Sequence, residues 1–138
     1  MNRRDFQELT RIRLGEAKCL LDQGHYSGAY YLCGYVIECA LKSCVAKQTK
    51  RHDFPPDKDT VRDIYTHNLK TLIKMAGLSA QLAAEEKNDQ SFAVFWAEVS
   101  KWAERSRYER QTMADAHNLY EAVTHRRHGV LRWIKQYW

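Results

Sequence analysis

One acidic residue, Glu38, lies inside the most apolar stretch of the sequence, SGAYYLCGYVIECALKSCV at residues 27–45. A helix formed by this stretch would be apolar around almost its whole circumference, and such a helix belongs at the centre of a protein. An ionised carboxylate without a partner costs on the order of several kcal/mol in that environment. Glu38 therefore either reaches the surface or meets a basic group.

Two kinds of partner are available to Glu38. Lys42 follows it by four positions, so the two side chains share one face of a helix, and an exposed pair of this kind contributes a few tenths of a kcal/mol. A guanidinium binds a carboxylate more strongly, through paired hydrogen bonds. Arg105, Arg107 and Arg110 are clustered before the last predicted helix. We expect Glu38 to orient an arginine or a histidine of that segment.

His117 lies just after these arginines, and an imidazole can transfer protons near neutral pH. Because each helical residue turns by about 100°, His117 lies about 200° from Leu119 and away from the apolar stripe. Arg110 shares its face if the helix extends back that far. Three further polar residues continue the row, Glu121, Thr124 and His128. This basic face is either an ordinary solvent-exposed surface, or a site or a subunit interface that encloses one.

The composition indicates a single domain over residues 1–138, with 44% hydrophobic and 12% aromatic residues, which is sufficient for a core. The net charge is +5, and residues 101–138, with eight Lys and Arg against four Asp and Glu, account for +4 of it. A basic end favours anionic partners such as RNA, nucleotides or an acidic protein. The alternative is a solvated helix face without a specific ligand.

Several classes of protein are disfavoured. The four cysteines show no C-x-x-C spacing, which predicts reduced thiols and a cytoplasmic location. No window is apolar enough for a membrane span, and the first residues lack the apolar stretch of a signal peptide. No phosphate-binding glycine motif, H-E-x-x-H or G-x-S-x-G occurs, and the histidines lack metal-ligand spacing. We therefore expect no metal and no cofactor. His67 is interpreted as a local structural residue, and three other histidines as turn or surface residues, His25, His52 and His125.

Apolar periodicity predicts the first two helices at residues 4–23 and 26–47. Asp5 is the expected N-cap of the first helix, and Gly24 is the expected terminator. The charged segment 47–59 contains both prolines of the chain, Pro55 and Pro56, and is predicted to be a loop.

A short helix is predicted between a capping Thr66 and Gly77. A longer helix is expected from Ser79 to about residue 106, with a weak stretch, EEKNDQS, that could bend it. After a polar junction at 105–117, a final helix continues to Tyr137. No β-alternation is present, so the predicted fold is all-α: an antiparallel up-and-down bundle of four long helices plus a short helix.

Taken in order, these segments resemble a HEPN domain (higher eukaryotes and prokaryotes nucleotide-binding). The resemblance depends on the series A-x-x-L-L-x-x-G-x-Y-x-x-A-x-Y-L-x-G-Y-x-x-E-x-x-L-K, on H-x-L-x-x-L, and on RSRY before an amphipathic last helix. It covers nearly the whole chain and implies a helical bundle that dimerises.

Many HEPN domains are metal-independent endoribonucleases, often toxins or defence effectors. Their motif is an arginine and a histidine separated by four to six residues, paired across a homodimer and supported by a polar residue of the second helix. By resemblance the catalytic residues here are Arg110 and His117, separated by six residues, with Glu38 in support.

Other HEPN domains lack this pair and have R-Y at the junction, which Arg107 and Tyr108 match. By resemblance these are modules that bind a nucleotide, RNA or a partner protein, sometimes in a toxin–antitoxin system beside a minimal nucleotidyltransferase. Three further residues join this candidate binding set, Arg105, Tyr120 and Lys42. Tyr120 follows His117 by three positions rather than two, which departs from the toxins that such a transferase modifies. A third possibility is a helical interaction protein without a specific ligand.

Overall fold

All regular structure is helical in the part of the chain that the computed structural model describes, residues 1–52 and 65–138, with side chains described at 1–49 and 65–138. The all-α prediction is confirmed within these ranges. Seven α-helices occur there: α1 Arg3–Asp22, α2 Tyr26–His52, α3 Leu69–Met75, α4 Ser79–Asn88, α5 Gln90–Ser100, α6 Met113–Thr124 and α7 Val130–Lys135. A short 3₁₀ helix, Glu104–Tyr108, precedes α6. None of the described helices combines the length and hydropathy needed to cross a membrane.

Helix α2 is the central element, as its apolar circumference predicts. It contacts α1, α3, α6, α7 and the 3₁₀ helix. Most of its residues from Ala29 to Val45 are buried, and they pack against buried side chains of the surrounding helices, including Ala17, Leu72, Leu119 and Ile134. Because α2 is covered on several sides, a polar side chain along it must be paired where it enters the interior.

The ends of α1, α2 and α3 differ in detail from the predictions. The N-cap of α1 is Asn2, whose side chain accepts from the N–H of Asp5 while the Asp5 carboxylate accepts from the N–H of Asn2. The N-cap of α3 is Asn68, not Thr66. The predicted helix terminators are confirmed, since both adopt positive φ, Gly24 at 81° and Gly77 at 70°. Helix α2 continues to His52, so the predicted loop is wrong for residues 48–52. Pro55, Pro56 and the His52 side chain lie outside the described residues.

The helix predicted from Ser79 to about residue 106 is two helices, with a break at Asp89, and it ends at Ser100. The Asp89 carboxylate accepts from the N–H of Phe92 at 3.0 Å and from His128 Nδ1 at 2.6 Å. A side chain that caps a new helix interrupts the preceding one. The His128 hydrogen bond also lowers the pKa of Asp89 below its usual value.

The predicted final helix is interrupted too, between α6 and α7. His125 Nδ1 accepts from the backbone N–H groups of Arg127 at 3.2 Å and His128 at 3.0 Å. These N–H groups therefore do not form the backbone hydrogen bonds of a helix, and the chain turns before Val130.

Trp102 fixes the segment that leads from α5 to α6 across the surface of α2. Its indole is buried, and its Nε1–H donates to the backbone oxygen of Tyr31 at 3.1 Å. The ring lies directly on Gly34, where an added Cβ would be 2.2 Å from three ring atoms. Glycine is therefore required at position 34 for this close approach, not for an unusual φ.

Candidate functional site

Glu38 is buried, with 1% of its surface exposed, and it is paired. Its Oε1 accepts a hydrogen bond from Lys42 Nζ at 2.9 Å and lies 2.9 Å from His67 Nδ1. Its Oε2 is buried without a hydrogen-bond partner among the described residues. The predicted burial is thus confirmed.

The predicted partner of Glu38 is wrong. No guanidinium of Arg105, Arg107 or Arg110 reaches the carboxylate; the basic groups that pair with it are Lys42 and His67. Lys42 is one helical turn away on α2, and its side chain is only 13% exposed. His67 comes from the segment before α3, which packs on α2, and this tertiary contact brings it close.

A second carboxylate continues the chain of contacts from His67 towards the surface. His67 Nε2 lies 3.5 Å from Glu104 Oε1, and the same oxygen lies 3.3 Å from Arg107 Nη1. The Arg107 guanidinium in turn lies over the Tyr108 ring, 4.8 Å from its centroid. Glu38 is therefore linked to Arg107 indirectly, and we call the chain Glu38–His67–Glu104–Arg107 the Glu38–Arg107 network.

Four exposed side chains of the segment after Trp102 form what we call the basic strip: Arg105, Arg107, Tyr108 and Arg110. The Tyr108 side chain is 78% exposed, although tyrosine is a largely apolar residue. Between them, Ser106 is buried, and its Oγ accepts from the N–H of Ala103 at 3.3 Å. Three residues of the strip thus lie on the short 3₁₀ helix, whose Ser106 side chain is buried, and Arg110 follows the helix.

The ion pairs leave the basic strip with spare positive charge. Arg105 Nε lies 3.4 Å from Glu109, and Arg107 shares Glu104 with His67. Arg110 is exposed and makes no ion pair with any described residue. Three guanidinium groups thus face solvent with only two nearby carboxylates. Such a surface attracts anions.

Arg110 and His117 lie at the other end of the segment, near the first turn of α2. The N–H of Gln111, next to Arg110, donates to Ser27 Oγ at 3.0 Å. His117 is exposed, and its ring centroid is 6.2 Å from that of Tyr26. Because α6 begins at Met113, the helix does not extend back to Arg110, and the condition for Arg110 to share the helical face of His117 is not met.

Glu38 does not join that pair within one chain. It follows Tyr26 by twelve residues on α2, a distance of about 18 Å along a helix with a rise of 1.5 Å per residue. The three residues predicted to be catalytic are thus divided, with Glu38 beside the Arg107 end of the segment and His117 beside the Gln111 end.

The predicted binding set is also divided. Arg105, Arg107 and Tyr108 are together on the basic strip, whereas Lys42 is occupied by Glu38. Tyr120 is half-buried and packs against the core from α6. The residue that sequence reasoning undervalued is His67, although it begins the H-x-L-x-x-L series. Its position directly after the predicted cap, Thr66, suggested only a local role.

Three of the four cysteines are buried, and the fourth, Cys19, is exposed. Burial raises the pKa of three thiols, Cys33, Cys39 and Cys44, to about 12, so these thiols stay protonated near neutral pH and are poor nucleophiles. No group of histidine, cysteine and acidic side chains in the described ranges has the arrangement of a metal site. The Glu38–Arg107 network and the basic strip contain arginine, tyrosine, histidine and carboxylate groups.

In comparisons with protein-family models, curated proteins and solved structures, the chain matches none of them. The resemblance to HEPN domains therefore stays a prediction.

Proposed function

We propose that this protein binds RNA, or a nucleotide as its smallest ligand, through the basic strip. The observation that carries the proposal is the Tyr108 ring, which is 78% exposed and lies under the Arg107 guanidinium. An exposed ring beside cationic groups provides both a surface for stacking a base and donors for the phosphate that follows it. The position of the ring among three exposed arginines, rather than its exposure alone, favours a binding role.

The proposal fits single-stranded RNA better than a duplex. The bases of a duplex are stacked on one another, whereas unpaired bases can stack on an aromatic side chain. Arg105 and Arg110 lie three residues before and two residues after Tyr108 in the sequence, and both are exposed, so further cationic groups are available for the phosphates of a bound strand.

The proposal agrees with what the resemblance to HEPN domains carrying R-Y implies. We accordingly expect the predicted up-and-down bundle, a homodimer, and a role as a binding module beside a partner such as a minimal nucleotidyltransferase. The long central helix α2, contacted by α1 and α6, is compatible with that bundle.

Replacement of Tyr108 by alanine is expected to weaken RNA binding by about fivefold to 150-fold, because stacking contributes about 1–3 kcal/mol per base. The measurement is fluorescence anisotropy of a labelled, unstructured ten-nucleotide RNA at low salt, with ATP as the mononucleotide probe. Tyr108→Phe retains the ring and is expected to bind like the wild type.

The contribution of arginine charge to RNA binding is tested separately in the same assay. Arg107→Ala is expected to weaken binding and reduce its salt dependence, because a phosphate contact is lost. Arg127→Ala removes one exposed arginine from the turn before α7 and is the matched control. Equal affinities for the wild type and Tyr108→Ala would refute the proposed site.

A second function, metal-independent RNA cleavage, is favoured by one observation. Gln111 is bound to Ser27 and His117 packs beside Tyr26, so Arg110 and His117 both lie near the first turn of α2. Two such pairs across a homodimer would supply an acid and a base for proton transfer and guanidinium groups for the charge that develops on phosphorus.

If this second function holds, purified protein cleaves RNA in the presence of EDTA and leaves a cyclic phosphate end. His117→Ala is then expected to slow cleavage by at least about a hundredfold, the usual contribution of a general acid or base. Total RNA analysed on a denaturing gel provides the measurement. Intact RNA with wild-type protein, or equal cleavage by the variant, would exclude this function while leaving RNA binding in place.

A further inference from the structure

His67 has a carboxylate at each of its two ring nitrogens. Nδ1 lies 2.9 Å from Glu38 Oε1, and Nε2 lies 3.5 Å from Glu104 Oε1. A neutral imidazole has only one N–H, and its other nitrogen is an acceptor. Only the imidazolium form can therefore offer a proton to both carboxylates at once.

We propose that His67 is a positioning residue of the basic strip, and that its protonated form strengthens RNA binding by drawing Glu104 away from Arg107. This inference rests on the proposed RNA-binding function. His67 contacts no ligand in this scheme; it acts through the carboxylate that it shares with Arg107.

The charges around His67 decide which contact is lost when the proton leaves. Among the described residues, the charged groups nearest to it in the network come from two elements, Glu38 and Lys42 from α2, and Glu104 and Arg107 from the 3₁₀ helix. Lys42 already balances Glu38. Glu104 is therefore the carboxylate whose charge His67 and Arg107 share.

Loss of the proton leaves one N–H for two acceptors. The shorter contact, to the buried Glu38, retains it, because a buried carboxylate loses most when a hydrogen bond is removed. The Nε2 lone pair then faces the Glu104 carboxylate, and the two repel each other. Glu104 is left to pair with Arg107 alone, where it competes with an RNA phosphate for the same guanidinium.

Loss of the His67 proton weakens anion binding in two ways. One positive charge disappears from beside the strip, and the remaining carboxylate occupies Arg107 more fully. His67 is 41% exposed, so solvent protons reach it readily. We therefore expect RNA affinity to fall when His67 loses its proton as the pH rises.

The test is the pH dependence of RNA binding between pH 5.5 and 8, measured by anisotropy with the unstructured RNA used above. In wild-type protein the Kd is expected to rise by about fivefold to tenfold over the interval, below the limit of about tenfold per pH unit for one linked proton. His67→Gln keeps a side-chain N–H donor for Glu38 but cannot change its charge, so its Kd is expected to vary much less.

His128→Gln is the matched control, because His128 also pairs with a carboxylate, that of Asp89, but on a different connection of the chain. This variant is expected to retain the wild-type pH dependence. Glu104→Gln removes the competing carboxylate and is expected to bind RNA more tightly at pH 8 than the wild type does.

A second readout does not need RNA. The Arg107 Nε–H resonance in ¹H–¹⁵N spectra is expected to move with pH in wild-type protein and to stay fixed in His67→Gln. RNA binding with the same pH dependence in both proteins would overturn this inference and leave the proposed function standing. No RNA binding at any pH would overturn the proposed function, and the Arg107 resonance would still decide whether His67 positions that arginine.

Discussion

Gly34→Ala is expected to lower the free energy of unfolding by about 2–3 kcal/mol, although alanine is the better helix former by about 1 kcal/mol. The added Cβ would lie 2.2 Å from three atoms of the Trp102 ring. Trp102 is buried and held by its hydrogen bond to Tyr31, so the ring cannot move aside without loss of packing. Urea denaturation followed by circular dichroism measures the change.

Two further variants separate this clash from the general effect of glycine in helices. Gly15 lies in α1 with no atom within 4 Å of an added Cβ, so Gly15→Ala is expected to stabilise the protein by about 0.5–1 kcal/mol. In a Trp102→Ala background the clash is gone, and Gly34→Ala should reverse its sign and become stabilising. A destabilising Gly34→Ala in that background would show that the explanation is wrong.

Glu38→Ala is the other substitution with a large expected effect, a loss of about 3 kcal/mol in the free energy of unfolding. Removal of one member of a buried ion pair costs about 3–5 kcal/mol because the partner stays behind uncompensated. The lower end applies here because His67 is 41% exposed and can be solvated. Chemical denaturation of the variant near pH 7 gives the value.

Glu38→Gln has nearly the same shape and removes only the charge, so its smaller loss separates electrostatics from the cavity that alanine leaves. Glu16→Ala is the matched control, since Glu16 forms an exposed ion pair with Arg13 at 2.7 Å. It is expected to change stability by less than about 1 kcal/mol. If Glu38→Ala were as mild as Glu16→Ala, the pairing around Glu38 would be unimportant for the fold.

The features that sequence predicted well depend on burial. The apolar circumference of α2 placed it at the centre and placed Glu38 in the interior, because the hydrophobic effect acts on every face of such a helix. Of the two partners of Glu38, Lys42 follows from helical spacing, whereas His67 was beyond prediction for the same reason. Burial requires a basic partner but does not specify which distant segment supplies it, and the packing of the region before α3 selected His67 over the arginines.

The predicted helices are interrupted at positions where one side chain competes with the backbone for hydrogen bonds. Asp89 had a recognisable signal, since aspartate is a preferred N-cap, and the weak stretch around it was noted as a bend. The turn at His125 gave no such signal, because an imidazole that accepts two backbone N–H groups has no preference visible in periodicity. The exposure of Tyr108 agrees with its place in the predicted polar junction, although apolar periodicity does not assign an isolated tyrosine to the surface.

The segment that carries the basic strip contacts α2 at three points along the helix. Trp102 packs on Gly34, Glu104 is linked through His67 to Glu38, and the N–H of Gln111 donates to Ser27. A segment fastened in this way has lost its conformational entropy during folding, before any encounter with the proposed RNA ligand. Association then has little backbone ordering to offset, which favours fast capture and leaves discrimination among ligands to the rate of release.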